Sequence, residues 1–211
     1  MSASKPFIIG LTGQTGAGKT TVAKIMTEVY GSEFLPHIDC DRVTRNIVDE
    51  DAETYADILR RFPDFFTDGR FDRRKAAGLL FADSRLLARY DAAIFPHITR
   101  LINGIIDGHA RDFARRGEGM ILLDAPMLFE SGIDRMCDVI VSCIAPERLR
   151  MERIIARDGI TEQQAKARIS AQHDDEFFRG RSDYIIENIG GEAALERAAA
   201  DVMDKIVTEN V

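Results

Sequence analysis

Cysteine is scarce in this chain. Cys40, Cys137 and Cys143 are the only three in 211 residues, an odd number without the paired spacing of a metal site. That excludes a disulfide framework and leaves reduced thiols in a core or at the edge of a site. Long apolar runs are missing too: none approaches the ~20 residues that cross a bilayer, so no membrane partner is expected. Residues 1–6 lack the basic-then-apolar pattern of a secretory leader, and a cytoplasmic protein is expected. Positive charge is in deficit, with 28 Lys and Arg against 35 Asp and Glu and a net charge of −7. A broad nucleic-acid interface needs a positive field, so none is expected, while a local basic pocket for a phosphorylated small molecule stays compatible. Internal repeats, low-complexity tracts and flexible interdomain linkers are absent, so the chain reads as one α/β unit with insertions.

What is present begins with Gly13-Gln14-Thr15-Gly16-Ala17-Gly18-Lys19-Thr20, which fits G-x-x-x-x-G-K-[ST]. The apolar run over residues 7–11 precedes it as a buried strand. Residues 21–30 follow as a helix, with Val22, Ile25, Met26 and Val29 on one face. Glycines let main-chain N–H groups converge on phosphate oxygens, and the helix N-terminus adds partial positive charge. The loop from Gly13 to Thr20, with Thr21, is therefore the candidate nucleotide cradle. Lys19 is placed to reach the β- and γ-phosphates and the Thr20 hydroxyl to ligate Mg²⁺.

A second strand over residues 34–38 runs into Asp39-Cys40-Asp41. Carboxylates just past a parallel strand sit where open α/β sheets place ligands, so one of them can face the terminal phosphate. Asp41 also reads as the N-cap of a helix starting at Arg42. From there to Arg116 the pattern is helical, over residues 54–62, 73–82, 85–95 and 96–116. The breaks fall at Pro63, Asp68-Gly69, Asp83-Ser84 and Pro96. In this insertion Arg45, Arg73 and Arg74 are candidates for anionic groups of an acceptor; the other reading of each is a solvated face residue.

A third strand over residues 120–124 ends in Asp124, the pattern of a carboxylate that holds Mg²⁺ directly or through water. A fourth covers 138–144. The helix over 146–158 is crowded with Arg148, Arg150, Arg153 and Arg157, of which Arg153 and Arg157 share a face. It reads either as a lid that brings guanidinium groups to transferred charge, or as a surface helix paired with Glu147 and Glu152. A second lid helix, 161–172, has Thr161 as N-cap. The fifth strand covers 183–188, and Asn188 opens a turn where its amide can meet adenine. The last helix covers 193–207.

Taken in order, the P-loop, Ile38-Asp39-Cys40-Asp41 with Arg45, Asp68-Gly69 with Arg73-Arg74, and Asp124-Ala125-Pro126-Met127-Leu128-Phe129-Glu130 form a recognisable series. Arg153, Arg157-Asp158-Gly159, Gln172, Asp183 and Asn188-Ile189-Gly190 complete it. The series resembles the dephospho-CoA kinase family over most of the chain. The resemblance implies a doubly wound α/β P-loop NTPase fold of the nucleoside-monophosphate-kinase type, with a five-stranded parallel sheet. Residues 1–41, 117–145 and 182–211 would form the core, 42–116 a helical CoA-binding insertion and 146–181 an Arg-rich lid. It implies ATP and Mg²⁺ as cofactors and 3′-dephospho-CoA as the small-molecule partner, phosphorylated on its ribose 3′-hydroxyl. Asp41 would be the catalytic carboxylate, with Lys19, Arg153 and Arg157 stabilising charge and Asp39, Arg45, Arg73 and Arg74 on the acceptor side. Whether the chain is a monomer or a homo-oligomer stays open. The chain departs from the family pattern at Phe95, where His is usual, at Arg150 for Gln, at Phe178 for Lys and at Glu187 for Asp. Two other classes share the loop: kinases of nucleosides, gluconate or shikimate, and nucleotide-binding switches or adaptors. The N-K-x-D with which a GTPase switch reads guanine is absent.

Overall fold

A computed structural model describes residues 5–116 and 119–210. Met1–Ser4, part of the stretch read for a leader, and the expected core boundary at 117 lie outside the described residues. Contacts divide the chain into two compact units: the described residues up to Asp39 together with those from Gly108 onward, and Cys40–Asp107.

The first unit opens with β1 (Phe7–Gly13), buried along all but its first residue. The phosphate-loop segment follows, then α1 (Lys19–Tyr30), which buries Val22, Ala23, Ile25 and Met26. β2 (His37–Asp39) is the short strand before the insertion, starting three residues later and ending one residue later than the 34–38 expected.

In the second unit come α2 (Cys40–Arg45), α3 (Ile47–Glu50) and α4 (Ala52–Arg61). Asp41 lies inside the first turn of α2 rather than capping a helix from Arg42. A carboxylate in a first turn still meets the positive end of the helix. β3 (Phe66–Thr67) and β4 (Arg70–Phe71) pair antiparallel. The Asp68-Gly69 between them has φ of 50° and 73°, the left-handed pair that a tight hairpin turn requires. The expected break there is thus a turn between two strands. α5 (Arg73–Ala82) has Asp72 as its cap, accepting from the Lys75 N–H at 3.0 Å.

α6 (Ser84–Arg116) is one helix, not the two expected on either side of Pro96. Proline there removes one backbone bond. Ala93, Ile94, Ile98, Ile102 and Ile106, all buried, give the helix a continuous apolar stripe on both sides of it. At about 1.5–3 kcal/mol for each large buried aliphatic side chain, that stripe outweighs the proline. Phe62, Phe65 and Tyr90 stack edge and face at 5.2–5.6 Å between centroids. Burial, with Asp91 adding to it, pushes the Tyr90 hydroxyl up to about 12.

Asp57 in α4 meets His97 at 3.2 Å, Arg60 at 2.5 Å and Arg61 at 2.9 Å. Burial alone would raise its carboxyl, but these donors outweigh it and hold the carboxyl at about 2, against an ordinary 3.8. The ion cluster therefore contributes fully above 3.8 and is lost as pH falls through about 2. Asp57→Asn is expected to lower stability at neutral pH and to flatten the acid limb of the melting curve between those values, measured by thermal melts against pH.

The first unit resumes with β5 (Met120–Asp124), β6 (Val139–Ile144), α7 (Glu147–Asp158) and α8 (Glu162–Ser170). Thr161 caps α8 in a reciprocal box with Gln164, as its place before the apolar pattern predicts. An additional short helix, α9 (Asp175–Arg179), comes before β7 (Tyr184–Glu187) and α10 (Glu192–Asn210). Five of the strands form one parallel sheet in the order β2-β5-β1-β6-β7. Ile9, Leu11, Met26, Leu122, Val141, Ala199 and Met203 close its core with no exposure. In register, Leu11 and Asp39 both stand beside Asp124, and Gly13 beside Cys143. The loop and two carboxylates thus share the carboxyl edge of the sheet, where such folds bind ligands.

Candidate active site

Close approach explains the glycines of the loop. A Cβ on Gly13, at φ +149°, would lie 2.2 Å from the Cys143 carbonyl. On Gly18, at φ +101°, it would lie 2.5 Å from Asn188 Nδ2. Gly13→Ala is therefore expected to destabilise the protein by about 2 kcal/mol or more and to abolish nucleotide binding, read by thermal melts and ATP titration.

The loop is held from outside. The Ala17 carbonyl accepts from Asn188 Nδ2 at 2.7 Å, Cys143 Sγ at 3.3 Å and Arg153 Nη1 at 3.5 Å. Arg153 Nη1 also donates to the Gly16 carbonyl at 3.2 Å, and its Nη2 to Asn188 Oδ1 at 3.1 Å. In a trans peptide the next N–H points opposite the carbonyl, so anchoring the Ala17 oxygen outward turns the Gly18 N–H toward the inside of the loop. Burial pushes the Cys143 thiol up to about 12, against the pull of Arg153 and Lys19, so it stays a neutral donor here.

Lys19 forms an ion pair with Asp124 at the end of β5. The two residues expected to serve phosphate and metal separately are joined. His37 Nε2 lies 3.3 Å from the other carboxylate oxygen. Burial would raise the Asp124 carboxyl, which is 4% exposed, but His37 and Lys19 outweigh it and keep the carboxyl below its usual range. Thr20 sits in the first turn of α1, followed by Thr21.

Other expected site residues fall as follows. Asp39 ends β2, and Asp41 lies in the first turn of α2 in the second unit, with Arg45 in the last turn of that helix. Arg73 pairs with Asp49 and lines a cavity of about 430 Å³ with Thr67, Arg70, Phe71 and Asp72. Arg74 is exposed in the first turn of α5. Arg157 holds Asp158 at 2.7 and 3.0 Å, and Asp158 also takes Arg168 at 2.5 Å. Asn188, expected to offer its amide to a base, spends both ends of that amide on the loop and on Arg153. The reason is burial: at 6% exposure its polar atoms need internal partners.

A family model, dephospho-CoA kinase, matches residues 7–193. The chain belongs to the dephospho-CoA kinase family. It is 31% identical over 204 residues to the dephospho-CoA kinase of Thermus thermophilus, covering 97% of this chain and 94% of that one. It is 34% identical over 195 residues to the one from Deinococcus radiodurans, covering 92% and 90%. The yeast dephospho-CoA kinase, from Saccharomyces cerevisiae, is 30% identical over 205 residues, covering 94% of this chain and 82% of that one. A solved Thermus thermophilus protein, TT1252, superposes with a TM-score of 0.76 at 30% identity, covering 96% of this chain and 99% of that one. A shikimate kinase from Acinetobacter baumannii shares the fold at a TM-score of 0.52 and 19% identity, covering 98% and 96%.

For this member of the dephospho-CoA kinase family, two features escape sequence reasoning. His37 reaches Asp124 because β2 and β5 pair in register, and nothing local to residue 37 announces that. Gln14 and Thr15 are bonded by Asp175 and Gln172, from 157 residues or more away. Gln172 stands in the family motif series, so its position carried a signal; Asp175 carried none.

Proposed function

We propose that this chain transfers the γ-phosphoryl group of ATP to the ribose 3′-hydroxyl of 3′-dephospho-CoA, giving CoA and ADP, the closing step of coenzyme A synthesis. The family match across residues 7–193, with the loop intact inside it, is the observation that carries this reading. The O3′–P bond forms as the bond from phosphorus to the bridging oxygen of ADP breaks. Asp41 orients the hydroxyl and accepts its proton. The loop from Gly13 to Thr20, with Thr21, cradles the phosphates through main-chain N–H groups other than those of Gln14, Thr15 and Ala17, which donate to Cys143, Gln172 and Gln14. Lys19 exchanges Asp124 for phosphate oxygens, which frees the Asp124 carboxylate. Arg153 and Arg157 bring guanidinium charge to the transition state, and Asp39, Arg45, Arg73 and Arg74 bind the acceptor.

The Thr20 hydroxyl and Asp124 carboxylate are hard oxygen donors, a set that fits Mg²⁺ shared with phosphates and water. When bound, Mg²⁺ would neutralise phosphate charge. Residues 42–116 serve as acceptor domain and 146–181 as lid on a core of 1–41, 117–145 and 182–211. The cytoplasm, where ATP is supplied, is the compartment this chemistry fits.

The test is ADP release with 3′-dephospho-CoA, nucleosides, gluconate, shikimate or no acceptor. Rapid release with 3′-dephospho-CoA alone is expected. Preference for another acceptor, or nucleotide binding without acceptor-dependent release, overturns the assignment.

A further inference from the structure

The segment joining α8 to α9 touches the phosphate loop at two points. Gln172 Oε1 accepts from the Thr15 main-chain N–H at 2.8 Å. Asp175 Oδ1 accepts from Gln14 Nε2 at 2.8 Å. The first bond fixes a peptide plane. With the Thr15 N–H held by Gln172, the Gln14 carbonyl on the same peptide points the other way, where it accepts from the Ala17 N–H at 3.0 Å. That contact closes the bend of the loop. The second bond anchors the Gln14 side chain, which is 2% exposed and whose Oε1 accepts from the Ala145 N–H at 3.4 Å.

The segment is itself held firmly. The His173 ring stacks on Phe177 at 3.6 Å between centroids, and His173 Nε2 lies 3.4 Å from Glu130. Behind it lies Arg150, which is 6% exposed. Its Nε and Nη1 are buried and meet no hydrogen-bond partner among the described residues. The carboxylates whose charge reaches it are Asp175 and Glu147, and burial lowers the pKa of the guanidinium against their pull.

We propose that Gln172 and Asp175 are positioning residues that set the shape of the phosphate loop through Thr15 and Gln14. Their effect falls on nucleotide affinity and not on acceptor binding. The proposal deepens the kinase reading and rests on it for the identity of the nucleotide.

The test is direct ATP titration of the full chain beside steady-state kinetics. Gln172→Ala and Asp175→Ala are each expected to raise the Kd for ATP about tenfold, the loss of roughly one hydrogen bond at the upper end of its net worth. The KM for dephospho-CoA and kcat at saturating ATP are expected to stay unchanged. Gln14→Ala also removes the acceptor of the Ala145 N–H, so combining it with Asp175→Ala is expected to cost no more than Gln14→Ala alone. Asp175→Asn keeps an oxygen for Gln14 and is expected to stay within about threefold of wild type, which also serves if the alanine variant fails to fold. Wild-type ATP affinity in Gln172→Ala and Asp175→Ala, a loss confined to the acceptor KM, or full additivity with Gln14→Ala overturns the proposal. If the wild-type chain does not phosphorylate dephospho-CoA, the kinase reading fails, while the ATP titration still decides the positioning claim.

Discussion

Asp41→Asn is expected to lower turnover by on the order of 10²–10⁴ while ATP affinity stays nearly unchanged. Asparagine keeps the size of the side chain and one oxygen, but it cannot take the proton of an attacking hydroxyl. A carboxylate with an ordinary pKa near ~4 is a weak base at neutral pH. The transition state of phosphoryl transfer is loose and asks little of a base, so most of the loss reflects aim. Asp41 lies in the first turn of α2 and is not itself a residue of the loop or of α1. Stopped or quenched-flow turnover beside ATP titration separates the two quantities. Unchanged turnover would remove Asp41 from the mechanism.

Lys19→Ala is expected to weaken ATP binding and to lower turnover by on the order of 10²–10³, because the ammonium acts on both ground and transition state. The substitution has a second consequence. Asp124, buried at the end of β5, loses the cation that pairs with it and keeps His37 as its neighbour. Losing one partner of a buried pair leaves a carboxylate with too little compensation, so its pKa rises and stability at neutral pH falls. A melt of Lys19→Ala alone and with Asp124→Asn separates this from the catalytic loss: the second change is expected to recover stability and not activity. An alanine variant with wild-type kinetics would defeat the assignment of the loop.

The parts of the fold legible beforehand are those where local chemistry leaves little choice. Gly13, Gly16 and Gly18 all adopt positive φ, and the strand before them and the helix after them follow from apolar spacing. Four of the five parallel strands were readable as apolar runs ending in a turn signal, while β2, His37–Asp39, buries only Ile38 and lies past most of the apolar residues that were expected to form it. Pro96 misled because a proline is a local feature, while the stripe from Ala93 to Ile106 is not. Asp68-Gly69 was seen as a break but not as a hairpin, since β3 and β4 are two residues each and too short for alternation to show. In the site, residue types were legible and pairings were not. Lys19 meets Asp124, and Asn188 meets Ala17, across the sheet rather than along the chain. Such pairings depend on register, which spacing along the chain does not encode.

The most direct measurement follows the phosphoryl group itself. ATP carrying ¹⁸O in its γ-phosphate is incubated with the protein and 3′-dephospho-CoA, and the products are separated by mass. The account predicts heavy oxygen in the 3′-phosphate of newly formed CoA, with one ADP released for each. Label appearing only in inorganic phosphate, or on another hydroxyl of the acceptor, would contradict it.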